Sequence, residues 1–417
     1  MTSTPIDASG TTLANWRSAA YNRWAFRHVD EFMATAPIVN RGARRPLPDD
    51  PMPRSFAGFR LRAAGGATLG LEEFLRQTRT DGLLVLVDGR VALEWRDEGM
   101  RSDTRHILMS ASKSVVGLLC GALVERGLLV ADAPVTELLP ELAATGYAGA
   151  TVRHLLDMRA DPGLDAQDLR RYAAATNWEP AAPGAGGTGL HDFFRSLPAR
   201  RGVHGGALRY LSANTDLLGW LMERATGRPF ADLVSEILWT PLGAEHPGAV
   251  TLDRAGAARA TGGLCASLRD FARIGLALLP AGPHSHAEPA DAAHAPSATA
   301  TAAAAAAGAP RPTATSAAWV ADIAGNGDRE AWANGEFARA FAGLAMRYRS
   351  GWYVLDDAPQ TLFAMGIHGQ HLFVDRANRL VIAKLSCQPD ALDPVATGLT
   401  LRAVAEIRRC VGLAPGA

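Results

Sequence analysis

Lysine is almost missing from this chain. Of its 42 Lys+Arg residues only Lys113 and Lys384 are lysines, so arginine carries nearly all the positive charge. Net charge is missing as well, because 42 Asp+Glu balance those cations and no basic tract disturbs the balance. That excludes the electrostatic footprint of a nucleic-acid or anionic-membrane binder. Cysteine is scarce: Cys120, Cys265, Cys387 and Cys410 lie far apart with no Cys-x-x-Cys pair. A zinc-ligand spacing is thereby excluded, and a disulfide framework is not expected in a chain of this size. Four small buried thiols are expected instead, and neither a metal nor an organic cofactor is expected. No apolar run reaches membrane-spanning length. The amino terminus, Met1-Thr-Ser-Thr-Pro-Ile-Asp7, lacks the basic start and apolar core of a secretory signal. The expected location is cytoplasmic.

What is present is enough for a sizeable core: 417 residues, 48% hydrophobic and 20% charged, room for one large or two ordinary domains. The chain is organised around His106-Ile-Leu-Met-Ser110-Ala-Ser-Lys113-Ser-Val-Val. Ser110 and Lys113 are three residues apart at the entry to an apolar helix, so both side chains emerge on one face. Ser112 stands about 100° or more from that face, which makes Ser110 the better nucleophile. A lysine can lose its proton when desolvated, whereas an arginine effectively cannot. Lys113, set among apolar residues, is therefore placed to act as a neutral general base toward Ser110. The plainer alternative is a first-turn surface cation beside an N-cap serine.

Along the chain, Asn15 to Phe32 carries aromatics at helical spacing and is expected to form an amphipathic helix. Leu83–Val87 and Arg90–Trp95 flank Asp88-Gly89, the signature of a tight hairpin. Helices are expected over 72–78 and from Ser112 to Arg126, ending at Gly127, and a short one begins after Thr151 as its cap. Residues 161–189 are rich in Pro and Gly and are expected to form a functional or mobile loop. The chain then turns helical through Thr226, stops at Gly227, and resumes as helix over Phe230–Leu238. Pro280 to Ala318, rich in Ala, Pro, Thr and Ser, is expected to be a disordered insertion. Gln370–Asp375 and Leu380–Leu385 predict a second hairpin, and Leu399–Val411 a terminal helix. Hairpins near both ends suggest one antiparallel sheet assembled from both termini.

A serine–lysine pair needs a third proton-handling group and two donors for an oxyanion. Tyr210, in Leu208-Arg-Tyr-Leu-Ser212-Ala-Asn214, is the candidate third group, one of only six tyrosines; the alternative is a packing tyrosine with Asn214 as a cap. Gly366-Ile-His368-Gly369, just before the second hairpin, fits the oxyanion side, since glycine lets backbone approach a ligand. The alternative there is a simple turn with His368 hydrogen-bonded in the core or at the surface.

Taken in order, Ser-x-x-Lys, Tyr-x-Ser and the glycine-containing strand run resemble the penicillin-recognising serine hydrolases. Class C β-lactamases, DD-peptidases and related esterases belong to that superfamily. Three runs are most similar to the 6-aminohexanoate-dimer hydrolases: His106–Ser114, Tyr210–Trp220 with Glu223-Arg-Ala-Thr-Gly, and Gly366-Ile-His-Gly-Gln370. The resemblance spans about Trp16 to Val411 apart from the alanine-rich insertion. It implies an α/β fold, a three-layer sandwich of antiparallel sheet flanked by helices, plus an all-α region. The α/β part would take about 16–130 and 340–417 and the mainly helical part about 131–279, all in one catalytic unit.

Carried onto this sequence, the resemblance implies Ser110 as nucleophile, Lys113 as base and Tyr210 as acid/base. It implies the backbone N–H groups of Ser110 and Ile367 as oxyanion donors, and Ser212, Gly366, His368 and Trp178 at the substrate pocket. Two departures stand out. Ser-x-x-Lys β-lactamases carry Lys-Thr-Gly where this chain has Gly366-Ile-His368-Gly369, which speaks against potent penicillin hydrolysis. The loop from Arg159 to Trp178 is short, with Asp165 and Asp168 as the candidates for the aspartate that tunes amide activity in the relatives. The expected function is a serine hydrolase cleaving short linear amides such as 6-aminohexanoate oligomers through an acyl-enzyme on Ser110. The alternatives are a promiscuous carboxylesterase or weak β-lactamase and, from another class, a non-catalytic acyl-binding sensor. The expected partner is a small amide or ester; the oligomeric state stays open, a homodimer among the choices.

Overall fold

Alternation along a few strands sets the architecture. In the strand Thr80–Val87, Leu83, Val85 and Val87 face one hydrophobic core, while Leu84 and Leu86 face another. The same division recurs in Leu380–Ser386, where Leu380 and Ile382 oppose Val381 and Ala383. A strand buried on both faces reads in sequence as an unbroken apolar run. The computed structural model describes residues 10–51, 54–63, 65–180, 188–280, 314–356 and 360–413.

The principal strands are β1 (Thr35–Ile38), β2 (Thr80–Val87), β3 (Arg90–Arg96), β4 (His106–Ile107), β5 (Gly248–Thr251), β6 (Leu264–Ala266), β7 (Met346–Arg349), β8 (Trp352–Leu355), β9 (Thr361–Gly366), β10 (Gln370–Asp375) and β11 (Leu380–Ser386). A seven-stranded antiparallel sheet runs β7-β8-β9-β10-β11-β2-β3 and joins strands from both ends of the chain. A smaller sheet, β1-β5-β6-β4, leads into the turn that carries Ser110. The principal helices are α1 (Leu71–Gln77), α2 (Ser112–Glu125), α3 (Val152–Leu156), α4 (Ala166–Ala175), α5 (Ser212–Thr226), α6 (Leu268–Leu276), α7 (Ala317–Gly325) and α8 (Pro394–Cys410). Helices α2 and α6 pack with one core and α1 and α8 with the other, so the large sheet lies between two helical layers. This is the antiparallel, helix-flanked sandwich that the family resemblance implied.

The Asp88-Gly89 turn has both residues at positive φ (50° and 75°), as a two-residue hairpin of this twist requires. Thr151 caps α3 in a reciprocal box with His154, and Gly227 ends α5 in the left-handed conformation. The helix expected from Asn15 to Phe32 is instead a series of turns with one four-residue helix, Asn22–Ala25, and a 3₁₀ turn, Val29–Glu31. Its aromatics still gather in one cluster, Trp16 on Phe26 and Phe32 and Phe32 on Trp24. Trp16 packs on Trp178, Phe26 on His106 and His368, and Trp24 on His28.

The stretch 161–189 is not a continuous loop, because Asp165 caps the ten-residue helix α4. Residues 181–187 of it lie outside the described residues. Of the insertion expected over 280–318, residues 281–313 likewise lie outside them, and 314–318 are ordered, contrary to the expectation. Ala314 and Thr315 are buried, and Ser316 caps α7. All four cysteines are free thiols; three are buried, whereas Cys410 is partly exposed on α8. Among the described residues no helix is long and apolar enough to cross a membrane.

Candidate active site

The turn Met109–Ala111 tightens the chain just before α2 and presents Ser110 at the edge of a cavity of about 230 Å³. Met109 adopts φ 49°, an uncommon conformation for a long side chain, costing on the order of 1–2 kcal/mol. Its burial among Ile107, Trp16 and Trp178 holds it there. Lys113 Nζ lies 2.8 Å from Ser110 Oγ, 3.3 Å from Ser212 Oγ and 3.3 Å from the Thr261 carbonyl. Ser112 points elsewhere: fully buried, its hydroxyl accepts from the Leu264 N–H.

Lys113 is 2% exposed. Burial holds its pKa well below the ordinary lysine range, and the nearby Arg259 cation pushes it the same way. Among the described residues no carboxylate pairs with the amine to reverse that shift. Both effects act against the charged form of the amine beside the serine.

Tyr210 stands at the entry to α5, its ring 4.8 Å from Phe337 and its centroid 4.9 Å from Lys113 Nζ. It lines the same cavity as Ser110 and Tyr353. Burial raises its pKa against the opposing pull of Tyr353 and Ser110, so it remains a phenol. One turn of α5 further on, Asp216 sits beneath Ser212 on the same helix face. Its carboxylate accepts from the Thr261 N–H (2.9 Å) and the Tyr172 hydroxyl (2.6 Å) and pairs with Arg259. Through Thr261 this network positions the amine of Lys113.

On the other wall, β9 ends at Gly366 against the serine turn. A Cβ on residue 366 would come within 2.5 Å of the Leu108 carbonyl and 3.0 Å of Met109 Cβ. Only glycine lets this strand edge lie so close, and the closeness brings Ile367 to the same cavity as Ser110.

The structure therefore gathers Ser110, Lys113, Tyr210, Ser212, Gly366 and Ile367 around one space. Two further candidates stand apart from it. His368, at φ 60°, is turned into the core; its Nδ1 bonds the Gln388 carbonyl at 2.7 Å and its ring meets Phe26 edge-on. His371, three residues on, lines the cavity instead. Trp178 is buried behind the serine turn, its Nε1 donating to Thr251 Oγ1 at 3.1 Å. Asp165 and Asp168 cap α4 and pair with Arg200. The sequence reading missed Asp216, Arg259, Tyr172, Thr261, Tyr353 and His371. The Ser212–Asp216 spacing, four residues on a helix, was the one available signal. Among the described residues no cluster of His, Cys, Asp or Glu is placed to hold a metal ion.

The beta-lactamase family model matches residues 70–406. A 6-aminohexanoate-dimer hydrolase of Paenarthrobacter ureafaciens is 33% identical over 393 residues, covering 92% of this chain and 90% of the relative. Esterase EstB of Burkholderia gladioli is 32% identical over 203 residues, 44% of this chain and 50% of its own. Among solved structures, a Bacillus anthracis protein described as a candidate 6-aminohexanoate-dimer hydrolase superposes with a TM-score of 0.78. It is 20% identical, and the match covers 97% of this chain and 99% of the other.

Proposed function

The chain belongs to the beta-lactamase family and is a serine hydrolase of it, and from that premise we propose that it cleaves short linear amides through an acyl-enzyme on Ser110. The observation that carries the reading is the buried amine of Lys113, 2.8 Å from the serine oxygen. As Ser110 Oγ attacks the substrate carbonyl, Lys113 takes its proton. The oxyanion that develops is met by the N–H groups of Ser110 and Ile367; each such donor lowers the barrier by about 3 kcal/mol. Tyr210, protonated and lining the same cavity as Ser110, passes a proton to the departing amine and is replenished from Lys113. Water enters, gives a proton back along the same route, and releases the acid.

The curated relative's substrate class, the 6-aminohexanoate dimer, supports an oligomer of that kind as substrate. The esterase relative favours a second reading on the same machinery, hydrolysis of small carboxylic esters. A fluorophosphonate probe tests the chemistry: the label should map to the Ser110 peptide and be lost in Ser110→Ala. Comparing a linear amide dimer, p-nitrophenyl esters and a chromogenic cephalosporin then ranks the substrates. Labelling elsewhere would end the assignment.

A further inference from the structure

We infer that the cavity beside Ser110 recognises an uncharged hydrogen-bonding group on a linear substrate, with His371 as its partner. This deepens the hydrolase reading and rests on it. The cavity is lined by Ser110 and Tyr210, by the end of β9, and by His371, Gln388 and Thr397. None of its described lining residues is Asp, Glu, Lys or Arg. Phe337, Met365 and Ile367 give it apolar wall, and the lining residue Leu392 is exposed. Such walls suit a methylene chain.

The polar lining is unfinished. His371 is 1% exposed and neither ring nitrogen makes a hydrogen bond of ordinary geometry, although the Gly369 backbone lies beside the ring. Buried polar atoms are normally satisfied, and leaving them bare costs free energy that a bound group would recover. The ring stacks on Phe373 and lies in register with Lys384 on the neighbouring strand. Burial, and then the Lys384 charge, hold its pKa down to about 3. The imidazole is therefore neutral, with one donor and one acceptor. That set matches a carboxamide or an internal amide. A carboxylate offers nothing to the acceptor, an ammonium nothing to the donor, and either would have to shed its water. Lys384 offers little counter-charge. It is 1% exposed, bonded to Ser386 Oγ, and its own pKa is lowered to about 7 by burial. Asp390 and Asp393 flank the lining residues Ala391-Leu392 in sequence, which is unfavourable to an incoming carboxylate.

The test uses the full chain and two matched ester series, one varying the tip of the acyl chain and the other the tip of the alcohol. Each series carries carboxamide, carboxylate, ammonium or methyl tips at equal length. In one series the carboxamide should exceed the other tips about tenfold in kcat/KM, the worth of one good hydrogen bond. The carboxamide-to-methyl ratio should fall toward one in His371→Phe and recover in His371→Gln, which keeps a donor and an acceptor. A charged tip preferred in either series, or no tip preference in both, overturns the inference. So does a ratio untouched by His371→Phe. Should that variant not fold, the wild-type series decide alone. Absence of turnover together with absence of fluorophosphonate labelling at Ser110 removes the hydrolase reading and this inference with it. Labelling and turnover with the wrong tip preference removes the inference only.

Discussion

Arg259 and Asp216 form an ion pair inside the protein, 6% and 3% exposed, and the same carboxylate holds the Thr261 N–H while the Thr261 carbonyl faces Lys113. The pair thus joins the stability of the helical part to the ionisation of the candidate base. Arg259→Leu leaves Asp216 buried without its cation, a loss of about 3–5 kcal/mol. It also removes a positive charge that acts against the charged form of Lys113. With that charge gone the lysine pKa rises, so the acid limb of the kcat/KM profile should move to higher pH. Chemical unfolding and a pH–rate profile on one preparation check both effects.

Lys113→Arg preserves charge and most of the volume but not the ability to shed a proton. Activity should fall by at least about a thousandfold, close to the loss in Ser110→Ala, as for catalytic groups that act as one unit. Stopped assays at matched folded fraction, verified by circular dichroism, measure it. Substantial turnover by the arginine variant would make Lys113 structural.

Tyr210→Phe keeps the ring packed on Phe337 and facing the Lys113 amine, so stability should change by less than about 1 kcal/mol. What is lost is the proton for the leaving group. Amide hydrolysis should drop by roughly 10²–10³, whereas a p-nitrophenyl ester, whose leaving group needs no proton, should suffer far less. Measuring both substrates on the variant separates the two roles.

Gly366→Ala places a methyl group against the Leu108 carbonyl and must push β9 away from the serine turn. We expect a loss of about 1–3 kcal/mol and a fall in kcat larger than the change in KM, because the Ile367 N–H would leave the oxyanion position. Steady-state kinetics and thermal melts give the answer.

Lys384 predicts a pH dependence of stability. Its pKa falls from 10.5 in the unfolded chain to about 7 in the fold. Between those values the unfolded state binds more protons, so stability rises with pH by up to about 1.4 kcal/mol per unit and the penalty is largest below pH 7. Lys384→Met should be more stable than wild type near neutrality, and the difference should shrink toward pH 10. Urea titrations at pH 6, 8 and 10 measure the trend, and a constant difference would refute it.

Local chemistry made much of this fold legible. The Asp88-Gly89 turn, the Thr151 cap and the Gly227 stop each encode their own conformation within a few residues. The Ser110–Lys113 pairing was likewise fixed by helix geometry. What escaped was set by distant contacts. Helix α4 was hidden because its polar composition resembles a loop, although Asp165 and Asp168 form a capping box. The aromatics of 15–32 keep helical spacing, yet turns and not one continuous helix bring them into a single cluster. Which histidine reaches the cavity depends on a positive φ at His368 and on strand register at His371, and neither leaves a mark in the sequence. Arg259 and Asp216 look like any other charged residues until the turn between β5 and β6 folds against α5.

The pairing of β11 with β2 joins residues about three hundred positions apart, Lys384 with Leu83 among them. During synthesis, then, Ser110 emerges from the ribosome long before the strand end carrying Ile367 exists. On the proposed mechanism, a chain interrupted anywhere short of β9 would hold Ser110 and Lys113 yet lack the Ile367 N–H, so premature fragments should be hydrolytically silent.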